Sequence, residues 1–253
     1  MAQAALAAGA IPTITLYALP HLDCARGGIG TDAGYRQWID EVTAGLGTVP
    51  AILVVEPDAL ALIGCLSSTD QARRLVLLRY AVTRLGADPA ASVYLDAGHE
   101  GWQSSTTMAA RLDAAGVAAA RGFSLNVSNF DATDVEVGYG RRISAKLATS
   151  RPFVVDVGRN GLGPATGSLA WCNPPGRALG TPPTTNHPDP LVDALLWIKP
   201  PGESDGVCRP GEPPAGQFWL DYALGLAARA APLPGVVPQP PVGSSAIGPK
   251  RVR

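Results

Sequence analysis

Lys199, Glu203 and Asp205 fall within seven positions of one another, in Trp197-Ile198-Lys199-Pro200-Pro201-Gly202-Glu203-Ser204-Asp205-Gly206. A short apolar run, Leu195 to Ile198, leads into them and breaks at the Pro-Pro-Gly turn. Asp23, Asp58 and Asp96 stand just after other apolar runs, the latter two in Glu56-Pro57-Asp58 and Asp96-Ala97-Gly98-His99-Glu100-Gly101-Trp102. Carboxyl groups gathered in one cleft can divide acid and base work, one donating a proton while another activates water or attacks. Crowding also opposes ionisation of the last of them, which keeps a proton available near neutral pH. Aromatic rings among such acids (Trp102, Trp171 and Trp197) add flat apolar faces, a combination that suits cleavage of a glycosidic bond.

The elements that must position these groups read as alternating strands and helices. Strands are expected over Ile11–Leu19, Ala51–Val55, Ser92–Leu95, Gly122–Val127, Phe153–Val155 and Leu195–Ile198. Residues 2–9 read as the last turns of a helix. Further helices are expected over Ala33–Leu46, Asp70–Leu85, about 106–120, about 138–148 and Gln217–Ala230. In the Ala33–Leu46 helix Tyr35, Trp38, Ile39, Val42 and Leu46 share a face at helical spacing. Ala51-Ile52-Leu53-Val54-Val55 is apolar throughout, as in a strand buried on both faces. Such alternation predicts an α/β fold with a parallel sheet or barrel, whose chemistry sits where the strands end. A long Pro/Gly-rich loop is expected over 162–190, and a disordered Pro-rich tail over 232–253 after a single domain at 1–231.

Composition narrows the class. The 253 residues are 46% hydrophobic and 16% charged with a formal net charge of −1, which gives no reason to expect nucleic acid or an anionic membrane as partner. No stretch approaches 18 consecutive apolar residues, and the N-terminus has no basic segment before its short apolar run, so neither a membrane span nor a signal peptide is read. Gly27-Gly28-Ile29-Gly30 lacks the spacing of a dinucleotide loop, and no Cys/His cluster has metal-ligand spacing, so no cofactor and no metal is expected. His99 alone reads as a structural hydrogen-bonding residue. Cys24, Cys65, Cys172 and Cys208 read either as two disulfides, with three possible pairings, or as four free thiols.

The residues also carry a resemblance. Val-Val-Glu-Pro-Asp-Ala-Leu (54–60), Tyr-Leu-Asp-Ala-Gly-His-Glu-Gly-Trp (94–102), Asn-Val-Ser-Asn (126–129), Gly-Arg-Asn-Gly (158–161), Trp-Cys-Asn-Pro-Pro-Gly (171–176) and the 197–206 stretch are similar, in order, to motifs of glycoside hydrolase family 6. The resemblance runs from about residue 11 to 230. It implies an inverting β-1,4-glucanase on a distorted α/β barrel, here incomplete and lacking its first strands. Asp58 would be the general acid and Asp23 the aspartate that opposes its ionisation and positions water. Asp205 would be the base and Asp96 a structural carboxylate beside the acid. Tyr17, His99, Trp102, Asn129, Trp171, Lys199 and Glu203 match sugar-contacting positions. The resemblance pairs Cys24 with Cys65 and Cys172 with Cys208, and implies a secreted monomer acting on a β-glucan polysaccharide. The short segment from Asp205 to the last helix implies an open cleft and endo action. Family members have barrel strands before the one at Ile11, so this chain is expected to begin in the helix that follows them. An inactive remnant that only binds glucan is the alternative.

Overall fold

The computed structural model describes residues 2–22, 24 and 27–231. Asp23 and the expected tail at 232–253 lie outside them. After a short helix, α1 (Ala2–Ala7), the chain alternates β1 (Thr13–Leu16), α2 (Asp32–Leu46), β2 (Ala51–Val55), α3 (Ser68–Gly86), β3 (Ala91–Asp96), α4 (Ser105–Ala114), β4 (Gly122–Leu125), α5 (Thr133–Ser144) and β5 (Phe153–Asp156). A long irregular loop then leads to β6 (Val192–Leu196) and α6 (Leu220–Ala228). The six strands pair in parallel and in sequence order, β1 to β6, as a curled half-barrel. Among the described residues no helix is long and apolar enough to cross a membrane.

The pleat explains both faces of the sheet. Leu53, Val55, Val93, Leu95, Phe123, Leu125, Phe153 and Val155 point outward into the main core, against Tyr35, Ile39, Leu78, Val82, Met108 and Ile143 of the helices. The alternate positions Val54, Tyr94, Val154, Ala194 and Leu196 form a smaller cluster inside the curl. Asp96 lies two residues after Tyr94, and Asp156 two after Val154. The same alternation therefore carries both carboxylates onto the inner face at the C-terminal edge.

Several boundaries move for identifiable reasons. The first strand shortens at both ends, leaving Ile11 61% exposed. The helix expected to 120 stops at Ala114, because Gly116 turns left-handed (φ 84°) into a 3-10 turn at Val117–Ala119. α5 starts at Thr133, earlier than the expected 138. The last strand begins three residues early and ends before Trp197, since the N–H groups of Ile198 and Lys199 donate to the Asp156 carboxylate, at 3.2 and 3.0 Å. α6 starts at Leu220, because Phe218 pairs with Glu203 in a β-bridge and stays exposed.

Candidate active site

The turn after β2 presents Asp58. Glu56 and Asp58 both adopt left-handed backbone (φ 53° and 69°), a conformation that non-glycine residues hold only when their surroundings fix it. Two neighbours supply that fixing. Glu56 is fully buried and accepts the N–H groups of Ala18 and Leu19, tying β2 to the end of β1. Asp96 accepts the Asp58 N–H at 3.0 Å, the Gly98 N–H at 3.0 Å and the Ser124 hydroxyl at 3.2 Å. Burial, and then the Asp58 carboxylate, push Asp96 up to about 7 against those hydrogen bonds. Burial likewise lifts Glu56 to about 7. Asp58 itself is half-buried.

A second carboxyl group is assembled past β5 and β6. Asp205 Oδ2 receives Nη1 of Arg159 at 2.7 Å and the Asn173 N–H at 2.9 Å, while Oδ1 takes the Ser128 hydroxyl at 3.3 Å. Arg159 is 1% exposed, lies over the Phe130 ring at 4.4 Å and also donates to the Ser128 carbonyl at 2.6 Å. Lys199 Nζ stands 3.2 Å from Glu203 Oε1 and 3.8 Å from Asp205 Oδ1. Beneath them Asp156 accepts four backbone N–H groups, from Ser128, Gly158, Ile198 and Lys199, so one buried carboxylate joins the ends of three strands. Burial raises its pKa in spite of those donors.

Two disulfides brace these loops. Cys24 bonds to Cys65 and Cys172 to Cys208, the pairing that the resemblance implied. The second bridge and Glu212, which accepts from Asn173 Nδ2 and from the N–H groups of Cys208 and Arg209, hold the loop after Asp205 against the Trp171 loop.

The aromatic and polar residues divide. The His99 and Trp102 rings lie 5.1 Å apart in the loop after β3, with His99 Nδ1 2.8 Å from Asp131 Oδ2. Burial pulls the His99 pKa down, but the Asp131 carboxylate outweighs it and holds the ring above its ordinary value. Asn129 donates to the same Asp131. Tyr17, just after β1, and Trp171, within the long loop between β5 and β6, are 43% and 56% exposed. Trp197 packs instead against the main core and donates its indole N–H to the Thr181 carbonyl at 3.0 Å.

Arg159, Ser128, Asn173 and Asp156 complete the second carboxyl group, yet sequence reasoning named none of them as site residues. The first three lie inside the quoted motifs at 126–129, 158–161 and 171–176, so the signal was present without a role attached. Among the described residues two groups have metal-ligand proximity: Cys172, Cys208 and Glu212, whose thiols are spent in a disulfide, and His99, Asp131 and Glu136.

Known proteins are similar to this chain in sequence and fold. The sequence profile described as Glycosyl hydrolases family 6 matches residues 1–230. Endoglucanase A of Thermobispora bispora is 41% identical over 237 residues, covering 90% of this chain and 50% of that protein. Endoglucanase A of Cellulomonas fimi is 44% identical over 228 residues, covering 89% and 49%. The chain thus spans about half the length of these curated relatives. Among solved structures, the endoglucanase Cel6 of Mycobacterium tuberculosis, in complex with methyl-cellobiosyl-4-deoxy-4-thio-β-D-cellobioside, superposes with TM-score 0.86 at 56% identity, over 90% of this chain and 78% of that one. Endoglucanase CEL6B of Humicola insolens gives TM-score 0.80 at 28% identity, over 91% and 80%. By the extent of the profile match and by fold, the chain belongs to glycosyl hydrolase family 6.

Proposed function

We propose that the protein is an inverting endo-β-1,4-glucanase that cleaves cellulose or a related β-glucan by general acid/base catalysis. The observation that carries this reading is the turn at Asp58, a half-buried carboxyl on strained backbone held by buried Asp96. Asp58 protonates the leaving glycosidic oxygen, and Asp23 assists it and orients the water. Asp205 is the base, acting through Oδ1, which among the described residues carries only the Ser128 hydroxyl at 3.3 Å and Lys199 at 3.8 Å, whereas Oδ2 is taken at 2.7 and 2.9 Å by Arg159 and Asn173. Asp96 keeps the acid in place. Tyr17, His99, Trp102, Asn129, Trp171, Lys199 and Glu203 hold the sugars. Endo action follows from the shortness of the 206–219 segment, which the Cys172–Cys208 bridge and Glu212 tie to the Trp171 loop. Disulfides persist in oxidising compartments, so the protein works outside the cell; by the resemblance it acts as a monomer on its polymer.

The test is reducing-sugar release from carboxymethyl cellulose by the oxidised chain beside Asp58→Asn. Loss of a positioned acid costs about 10²–10⁴-fold, so the variant should be almost silent. The second reading is a protein that binds glucan without turnover. It is favoured by β1, which pairs with β2 alone among the described strands. A folded parent chain that binds cellulose and releases no more sugar than Asp58→Asn would establish that reading instead.

A further inference from the structure

His99, Asp131 and Glu136 come from two pieces of chain: the loop after β3, and the segment that runs from before α5 into its first turn. Each offers one ligand atom, and these atoms lie within 4.8 Å of one another. His99 Nδ1 is 2.8 Å from Asp131 Oδ2 and 2.9 Å from the Glu100 carbonyl. Glu136 is wholly buried. Its Oε1 accepts the Glu100 N–H at 2.9 Å, but its Oε2 is buried with no hydrogen-bond partner.

A carboxylate oxygen removed from water and given no donor is expensive. The Asp131 and Glu100 carboxylates add negative charge beside Glu136, and His99 and the Glu100 N–H oppose them. Arg142 of the same helix is engaged by the Glu100 carboxylate and lies over the Tyr139 ring. The chain thus gathers two carboxylates and an imidazole, one carboxylate buried, and leaves an oxygen unanswered.

We propose that His99, Asp131 and Glu136 bind a divalent first-row transition cation. One imidazole nitrogen and two carboxylate oxygens are donors such ions accept, and three protein ligands leave a further position for water. On binding, the lone pair of His99 Nδ1 turns to the metal, its proton passing to Nε2 in a neutral ring or to solvent from a charged one, and Glu136 releases to solvent the proton that burial favours. The two carboxylates then balance the double positive charge. The site is independent of the hydrolytic reading except through His99, whose Nδ1 would face the ion while its Nε2–H is left for a sugar hydroxyl.

The test uses the tag-free, oxidised full chain and zinc as the probe ion, with bound metal measured after equilibrium dialysis at pH 7.5. We expect one zinc per chain, a raised melting temperature and a released proton. Glu136→Gln keeps an acceptor for the Glu100 N–H, and Asp131→Asn changes a partly exposed group, so both should fold. Each should weaken binding by about tenfold or more. Replacing His21 and His187 together by alanine should leave binding intact. Lowering the pH should weaken it as His99 takes up a proton; Asp131, Glu136, Glu100, Tyr139 and Arg142 are the ionisable groups around that ring. The parent chain taking up no stoichiometric zinc would overturn the proposal. So would undiminished binding in whichever of the two carboxylate variants folds.

Discussion

Asp96 accepts the backbone N–H of Asp58 at 3.0 Å across the β2–β3 edge, so the end of one strand fixes the turn on which the other presents its carboxyl group. The same Asp96 oxygen takes the Gly98 N–H, and the other oxygen takes the Ser124 hydroxyl. Replacement by asparagine can keep the amide oxygen toward the two N–H groups, while its NH₂ faces Ser124, whose hydroxyl can turn to accept. Asp96→Ala strands both backbone donors, each worth about 1–3 kcal/mol when buried and unsatisfied. We therefore expect Asp96→Ala to unfold at markedly lower urea, and Asp96→Asn to match the parent at pH 5 and exceed it at pH 8, where the parent must bury a charge. A parent-like Asp96→Ala midpoint would show that the turn does not depend on this carboxylate.

That difference belongs to a wider pH dependence. Asp96 is raised from 3.8 to about 7, Glu56 from 4.5 to about 7 and Glu136 from 4.5 to about 8, in each case first by burial. A raised carboxyl pKa means that the folded state holds its proton where the unfolded state has lost it. Stability then falls as pH climbs from about 4 to about 8. His99, held above its ordinary value, acts in the same direction. Glu212 and Asp189, whose pKa values are lowered against the effect of burial, lose their contribution below about pH 4. Calorimetry in a metal chelator should find the highest melting temperature near pH 5 and a lower one at pH 8. A melting temperature that rises from pH 5 to pH 8 would contradict these assignments.

The sequence made the strand order and the strand-end aspartates legible, because apolar runs such as Ala51–Val55 and Phe153–Val155 are bounded by turn residues. Apart from Asp96, to which the resemblance gives a structural role, it did not show which carboxylates are framework. Asp156 and Glu56 look like any acid after a strand, yet the N–H groups that bury them come from residues up to 43 positions away. Helix starts were misread where no side chain caps the first turn, as at Ala132 and Trp219. The His99–Asp131–Glu136 group had no local spacing to betray it.

Arg159 is expected to matter for stability beyond any role in turnover. It is 1% exposed and its fork divides between Asp205 and Ser128 while its plane rests on Phe130. Removing one partner of a buried ion pair costs about 3–5 kcal/mol, because the other charge stays buried. Arg159→Ala should show that loss in urea unfolding. Arg159→Lys should recover little of it, since an ammonium cannot reproduce the fork. Full recovery with lysine would mean that charge alone is required.

Two helical glycines should respond oppositely to alanine. Gly45 lies in α2 with nothing within 4 Å of an added Cβ, so Gly45→Ala should stabilise by about 0.5–1 kcal/mol through helix propensity. At Gly140 in α5 the Cβ would stand 2.5 Å from the Phe153 ring, within the core. Overpacking costs about 1–3 kcal/mol and outweighs the propensity gain, so Gly140→Ala should be less stable than the parent. Equal shifts in the two variants would show that the Phe153 ring yields without cost.

Trp171 and Trp102 separate sugar contact from packing. Trp171 is 56% exposed, whereas Trp102 packs against the main core and the His99 ring and sits close to Gly98. Exposed side chains outside special contacts change stability by less than about 0.5 kcal/mol when removed. Stacking on a ring face contributes about 0.5–1.5 kcal/mol beyond burial. Trp171→Ala should therefore keep the parent melting temperature yet be retarded less in an affinity gel cast with soluble glucan, its dissociation constant rising roughly 2- to 12-fold, the same energy expressed as a ratio. Trp102→Ala should lose both retention and melting temperature. Unchanged retention in Trp171→Ala would remove that residue from the glucan path and leave Trp102 as the platform to pursue.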